Sequence, residues 1–291
     1  MYNGRVMADG ILFQSVILCA VFFLGTIIGS FLNVLVIRYK SGKSSVRSRS
    51  QCLACAAPLS WKDLFPIVSY LVLRGRCRYC SGHISVQYPL VEACTGFLFV
   101  YIYLFVSPHL LLGTSAFLFS ILDVLILWGI LGVLILIVVY DIRHMIIPDM
   151  FVIVFLGLSL AYLFVPVGYW GRSAVSFMEL FAALFFAGLF VLMWFFSKGT
   201  WMGLGDAKLV FGMGLLLGWK GSVSALLLAF WTGAAWGLFV IAINVFFHRA
   251  RLFKNGKRFT MKSEMPFGPF LVLGLMIVFF FHLDVFSLLA L

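Results

Sequence analysis

The sequence predicts an all-α polytopic membrane protein, with about eight transmembrane helices and a small cytoplasmic four-cysteine zinc module between helices 1 and 2. The first observation is composition: the chain is 64% hydrophobic and 11% charged, with a mean hydropathy of +1.13, far from the balance of soluble domains. The second is a series of apolar runs near 11–37, 88–107, 116–140, 149–166, 176–197, 222–247 and 267–290. A bilayer core of about 30 Å takes roughly 20 helical residues. The third is the pair of knuckles Cys52-x-x-Cys55 and Cys77-x-x-Cys80 in the one extended non-apolar region.

Taken in order, the first run ends at Arg38 and Lys40, has no basic residue immediately before it and lacks a small-residue cleavage site, so it reads as a retained helix, 1–37. Residues 38–87 form the module, opening with a serine- and arginine-rich linker, Ser41 to Ser50. About fifty residues are too few to rely on an apolar core. Four thiolates in two CxxC pairs suit tetrahedral structural zinc, with ligands Cys52, Cys55, Cys77 and Cys80, and a reducing compartment argues against disulfides. Cys19 and Cys94, isolated in apolar helices, read as small hydrophobes. The remaining spans, 88–291, form a multi-helix membrane domain, in which the short run 206–218 is the eighth crossing. Backbone groups must be satisfied within lipid and no alternating barrel strands occur, so the spans are helices.

Basic residues fix the expected orientation. Arg38, Lys40, Lys43, Arg47, Arg49, Lys62, Arg74, Arg76 and Arg78 lie between spans one and two. Arg249, Arg251, Lys254, Lys257, Arg258 and Lys262 precede the last span. Eight crossings put both clusters in the cytoplasm and both termini outside, leaving Arg5, Arg172 and Lys220 opposite.

The same threading puts Asp141, at the end of span three, and Asp206, at the start of span six, on the cytoplasmic side. Acidic groups near hydrocarbon are costly and mark a task or a partner. Two carboxylates sharing a site cannot easily both ionise, which provides one base for water and one acid for a scissile carbonyl. Gly203 and Gly205 leave room for a backbone beside Asp206. A helix N-cap and a solvated helix end are the plain alternatives for the two residues. Asp149, after Pro148, reads as a helix cap, and His144 as a solvated or tuning neighbour of Asp141. Lys208 reads as a partner of Asp206 or an interfacial cation. Glu92 and Asp123 are further intramembrane acids, Asp123 too far toward the outer side to join the pair.

Together these residues resemble the bacterial type IV prepilin peptidases over nearly the whole chain. The resemblance rests on Gly29-Ser30-Phe31-Leu32-Asn33-Val34, the cysteine knuckles, Leu73-Arg74-Gly75-Arg76-Cys77 and Tyr88-Pro89-Leu90-Val91-Glu92. It continues through Asp141-x-x-His144-x-x-Ile147-Pro148-Asp149, Gly203-Leu204-Gly205-Asp206-Ala207-Lys208 and Pro266-Phe267-Gly268-Pro269-Phe270. Leu53 and Gln87 depart from it, standing where many members have proline and arginine. The resemblance implies an inner-membrane aspartic protease with Asp141 and Asp206 as its catalytic pair, acting on prepilins or pseudopilins, with no nucleic-acid partner. It further implies N-methylation of the new terminus with S-adenosylmethionine. Two competing readings are another GxGD intramembrane protease, which the cysteine module disfavours, and a proton- or cation-coupled transporter, for which no internal repeat speaks.

Overall fold

The computed structural model describes residues 2–39, 49–106, 114–164, 177–249 and 265–285. The expected linker lies outside them apart from residues 49 and 50, as do the basic cluster beyond Arg249 and the end of the last apolar run. The described chain is helical, and it divides into two compact units, one up to Leu136 and one from Ile137 onward.

The first unit contains α1 (Tyr2–Arg38), the cysteine module with a 3₁₀ turn (Trp61–Leu64) and the short α2 (Val68–Val72), α3 (Gln87–Val106) and most of α4 (Thr114–His144). Helices α1 and α3 meet through small residues, the substitute in lipid for a hydrophobic driving force. A Cβ added at Gly25 would stand 2.8 Å from the Gly96 Cα, and one at Gly29 2.9 Å from the Glu92 Cα. Asn33 Nδ2 donates to the Tyr88 carbonyl at 3.2 Å. Between α3 and α4, Trp128 stacks on Phe99 and donates its indole N–H to the Phe99 carbonyl.

The second unit holds the end of α4, then α5 (Asp149–Leu163), α6 (Phe177–Ser197), α7 (Leu204–Arg249) and α8 (Gly268–Phe281). Continuous hydrogen bonding makes α7 look like one rod, but Gly218 (φ 65°, ψ −165°) has non-helical dihedrals that only glycine adopts readily. The chain reverses there. Gly205 abuts Ile147, which also abuts Gly268 at the start of α8. Gly233 lies against Phe270, and Phe230 against Phe267, at that same end of α8. A straight helix would hold Gly205 and Gly233 about 42 Å apart. The two halves, 204–217 and 219–249, therefore form a hairpin, and the apolar helical segments number eight among the described residues: α1, α3, α4, α5, α6, both halves of α7, and α8. The expected eighth apolar segment, 206–218, is present as the first half of this hairpin, with the turn made at Gly218 itself.

The hairpin is held by close backbone contacts: Gly212 lies against Phe155 of α5, Gly214 against Ala183 of α6, and Gly274 of α8 against the Ala225 carbonyl. Among the described residues five helical stretches, with Leu204–Ile243 counted as one, are long and apolar enough to cross a membrane, and α5 and α8 are shorter apolar helices. The protein is a multi-pass membrane protein.

At the α1–α3 contact neither backbone can yield. Gly25→Leu is expected to cost about 1–3 kcal/mol through overpacking, measured as a lower midpoint in a denaturant titration in mixed micelles. An unchanged midpoint would contradict the observed contact.

Candidate functional site: a carboxylate pair and a four-thiol module

Helix α4 ends in the left-handed Met145 (φ 52°), whose N–H donates to the Asp141 carbonyl. Residues Ile146 and Ile147 lead to Pro148, the N-cap of α5. This turn faces the start of both α7 and α8. Asp141, 4% exposed, accepts a hydrogen bond at Oδ2 from the Gly268 N–H at 3.1 Å. A Cβ at Gly268 would lie 2.6 Å from that oxygen, so only glycine permits the approach. Asp206, 9% exposed, reaches back to accept the Gly203 N–H at 3.2 Å.

Asp206 is thus the third residue of its helix rather than the N-cap, and its carboxylate occupies the position of the acid in a capping box. Both carboxylates lie against amide donors at helix N-termini, where the macrodipole favours negative charge. Gly205 and Gly268 both abut Ile147, so the two aspartate-bearing segments converge on one residue.

Lys208 and Asp149 take other roles than the sequence suggested, while exposed His144 and distant Asp123 agree with it. Lys208 pairs with Asp149 at 2.5 Å, an exposed clasp between α7 and α5, rather than with Asp206. Asp149 is the first residue of α5, with Pro148 as the cap. His144 stacks on Tyr140 and donates from Nδ1 to the Tyr140 carbonyl at 3.2 Å. Asp123 is buried 18 residues back along α4, a rise of about 27 Å, and does not join the pair. The Gly268 amide was not singled out in the sequence, where Pro266 to Phe270 entered only as a segment of the family resemblance.

In the module, the knuckles are structural copies offset by 25 residues. Gln51 bridges Pro58 as Arg76 bridges His83. Cys52 N–H donates to the Ala57 carbonyl as Cys77 N–H does to Gly82, and Ala56 and Ser81 both have positive φ. The four Sγ atoms lie within 4.8 Å of one another, Cys52 and Cys80 3.9 Å apart. A tetrahedron with metal–sulfur bonds of about 2.3 Å has sulfurs ~3.8 Å apart. The cluster fits a metal ion, and zinc suits its all-thiolate set.

The amides of Cys55 and Ala54 pull the Cys52 thiol down to about 7. Cys80, although the Gly82 amide favours its thiolate, is pushed up to about 11 by the thiols of Cys55, Cys77 and Cys52. Crowded thiolates repel, and a cation removes that repulsion.

Asp63 locks the two knuckles together. It accepts hydrogen bonds from the Ser60 amide (3.1 Å) and hydroxyl (2.7 Å), from Arg78 Nε (2.8 Å) and from the Tyr79 hydroxyl (3.1 Å). Burial alone would raise its pKa, but the Ser60 hydroxyl, Arg78, the Ser60 amide and Tyr79 hold it at about 2. Sequence reading left Arg78 unassigned and passed over Asp63. The Ser60-x-x-Asp63 spacing was the available signal.

The fold and site define a class: a helical, multi-pass membrane protein with two converging buried carboxylates and a four-thiol module. Residues 23–106 match the Bacterial Peptidase A24 N-terminal domain, and residues 128–238 match the Type IV leader peptidase family. A Myxococcus xanthus protein named prepilin leader peptidase/N-methyltransferase is 33% identical over 228 residues, 76% of this chain and 62% of that protein. Aeromonas salmonicida and Pseudomonas aeruginosa proteins of the same name are 31% and 29% identical, covering 87% and 89% of this chain and 87% and 88% of their own. No solved structure matches. The chain belongs to the type IV leader peptidase family.

The stabilisation from Asp63 is complete above the unfolded pKa near 4 and is lost as pH falls toward 2. Asp63→Ala is expected to discard it at neutral pH, so that limited proteolysis nicks the 50–85 region several-fold faster. Equal nicking rates would show that Asp63 does not hold the module.

Proposed function

We propose that this chain is an inner-membrane aspartic endopeptidase that removes the basic leader of type IV prepilins or type II secretion pseudopilins, with Asp141 and Asp206 as its catalytic pair. It then N-methylates the new terminal residue, the methyl group coming from S-adenosylmethionine. In this reading the chain comprises an N-terminal helix (1–37), a cytoplasmic zinc module (38–87) and a membrane protease domain (88–291). The pair and the module face the cytoplasm and both termini the periplasm.

The observation that carries the proteolytic reading is the convergence of the two carboxylates around Ile147, each accepting an amide N–H at a helix start. One ionised carboxylate takes a proton from water, which attacks the scissile carbonyl. The protonated partner gives its proton to the carbonyl oxygen. As the gem-diol intermediate collapses, the carboxyl that took water's proton gives it to the leaving amine while the other carboxylate takes the proton of a gem-diol hydroxyl, so the pair again holds a single proton.

Water access is supported by helix length. The first half of α7, α5 and α8 have 14 or 15 residues, about 21–23 Å, short of a ~30 Å hydrocarbon core. A bilayer thins around such short segments. The substrate's peptide bond must be extended to be attacked, and Gly203, next to the Asp206 carboxylate, leaves space for it at the start of α7, whereas the space beside Gly205 is filled by Ile147. Zinc, held by Cys52, Cys55, Cys77 and Cys80, supplies a structural cross-link and takes no part in hydrolysis.

Purified protein with a synthetic prepilin tests the pair. Asp141→Asn and Asp206→Asn are each expected to lower cleavage by about 10²–10⁴-fold with metal content unchanged, and full cleavage in either removes that residue from the mechanism. Gly268→Ala, which crowds Asp141, is expected to lower the turnover number more than substrate affinity. Elemental analysis of the wild type should find zinc, lost in Cys52→Ser and Cys77→Ser.

A further inference from the structure

The stretch from Trp61 to Arg74 was expected to belong to a soluble module, and its placement says otherwise. Phe65 lies against Phe23 of α1, ring centroids 5.5 Å apart. Asn33 meets Tyr88 where α3 begins, and Phe23 is ten residues, about 15 Å, below that level along α1. About 15 Å is half a hydrocarbon core.

At Pro66-Ile67-Val68 the chain makes a γ-turn, with the Val68 N–H donating to the Pro66 carbonyl and Ile67 at φ 60°. The Ile67 N–H is taken by Oε2 of Glu92 at 2.7 Å. Glu92 is buried in α3, five residues past its start. Irregular backbone at membrane depth survives only where protein groups satisfy it, and this carboxylate does so at the point where the turn frees an amide. That gives Glu92 a task.

The segment's outer face is apolar: Leu64, Phe65 and Val68 are exposed, and Leu71 and Val72 are 66% and 70% exposed. It is bracketed by Trp61 with Lys62 against its ring on one side and by Arg74, Arg76 and Arg78 on the other. Aromatic and basic residues flanking an apolar stretch are the anchors of a membrane interface, and the cations suit anionic headgroups.

We infer that residues 64–73 form a re-entrant segment inserted among lipid acyl chains beside α1 and α3, with Trp61, Lys62 and Arg74 at headgroup level and Glu92 as the internal acceptor that allows the turn to be immersed. The zinc knuckles then sit directly on the membrane surface. This placement is independent of which reaction the carboxylate pair performs.

The test uses full-length protein in phosphatidylethanolamine–phosphatidylglycerol vesicles, with Leu71→p-benzoylphenylalanine as a photoreactive probe. Leu125, on the exposed face of α4, serves as the lipid-facing reference and Ser81, on a knuckle, as the aqueous one. Irradiation is expected to give phospholipid adducts at position 71 at the yield of Leu125 and about tenfold above Ser81. Val72→p-benzoylphenylalanine should agree. Adducts at the Ser81 level, or adducts only to a second copy of the chain, would overturn the insertion.

Discussion

The hydrogen bond from the Gly268 amide to Asp141 is the constraint on which the site depends. It requires α8 to start against the end of α4, which only a residue without Cβ permits. The same crowding brings Ile147 against both Gly268 and Gly205, and so sets where α7 begins. A buried carboxylate is tolerable only with donors to replace water, and here the donors are backbone amides rather than cations. An arginine or lysine partner would fix the charge of either aspartate and remove its ability to exchange a proton. Lys208, the nearest cation in sequence to Asp206, is instead engaged by Asp149.

The rest of the second unit serves that junction through small residues. Gly218 turns one apolar run into a hairpin, which keeps the Asp206 half of α7 short, between α5 and α6. Gly212, Gly214 and Gly274 then let Phe155, Ala183 and the Ala225 carbonyl approach. In lipid such contacts replace the hydrophobic effect as the source of helix association. The first unit repeats the device with Gly25, Gly29 and Gly96, and uses it to hold Glu92 beneath the cysteine module.

Much of this was legible from residues alone. Apolar runs gave most helix ends to within a few residues, because a span must be apolar throughout, although α1 starts at Tyr2 rather than near 11 and α8 ends at Phe281 rather than near 290; CxxC spacing gave the thiol cluster. The two aspartates stood out because charges are rare in such runs. The reversal near Gly218 was anticipated by the break between the runs 206–218 and 222–247, although the one glycine that makes it, among many in apolar helices, carried no local mark. The immersed turn at Ile67 was hidden, since Lys62 and Arg74 made its surroundings look soluble while its acceptor, Glu92, lies 25 residues away. Capping by Asp149 was assigned from sequence position, whereas the fold puts Pro148 in that place.

The central claim is that Asp141 and Asp206 occupy one site, and thiol cross-linking tests it without any substrate. In an Asp141→Cys, Asp206→Cys double variant, a short bifunctional thiol reagent should join the two positions in one chain, giving a linked peptide that contains both. Single-site modification of each cysteine, with no linked peptide while linkage proceeds elsewhere in the same sample, would contradict the account.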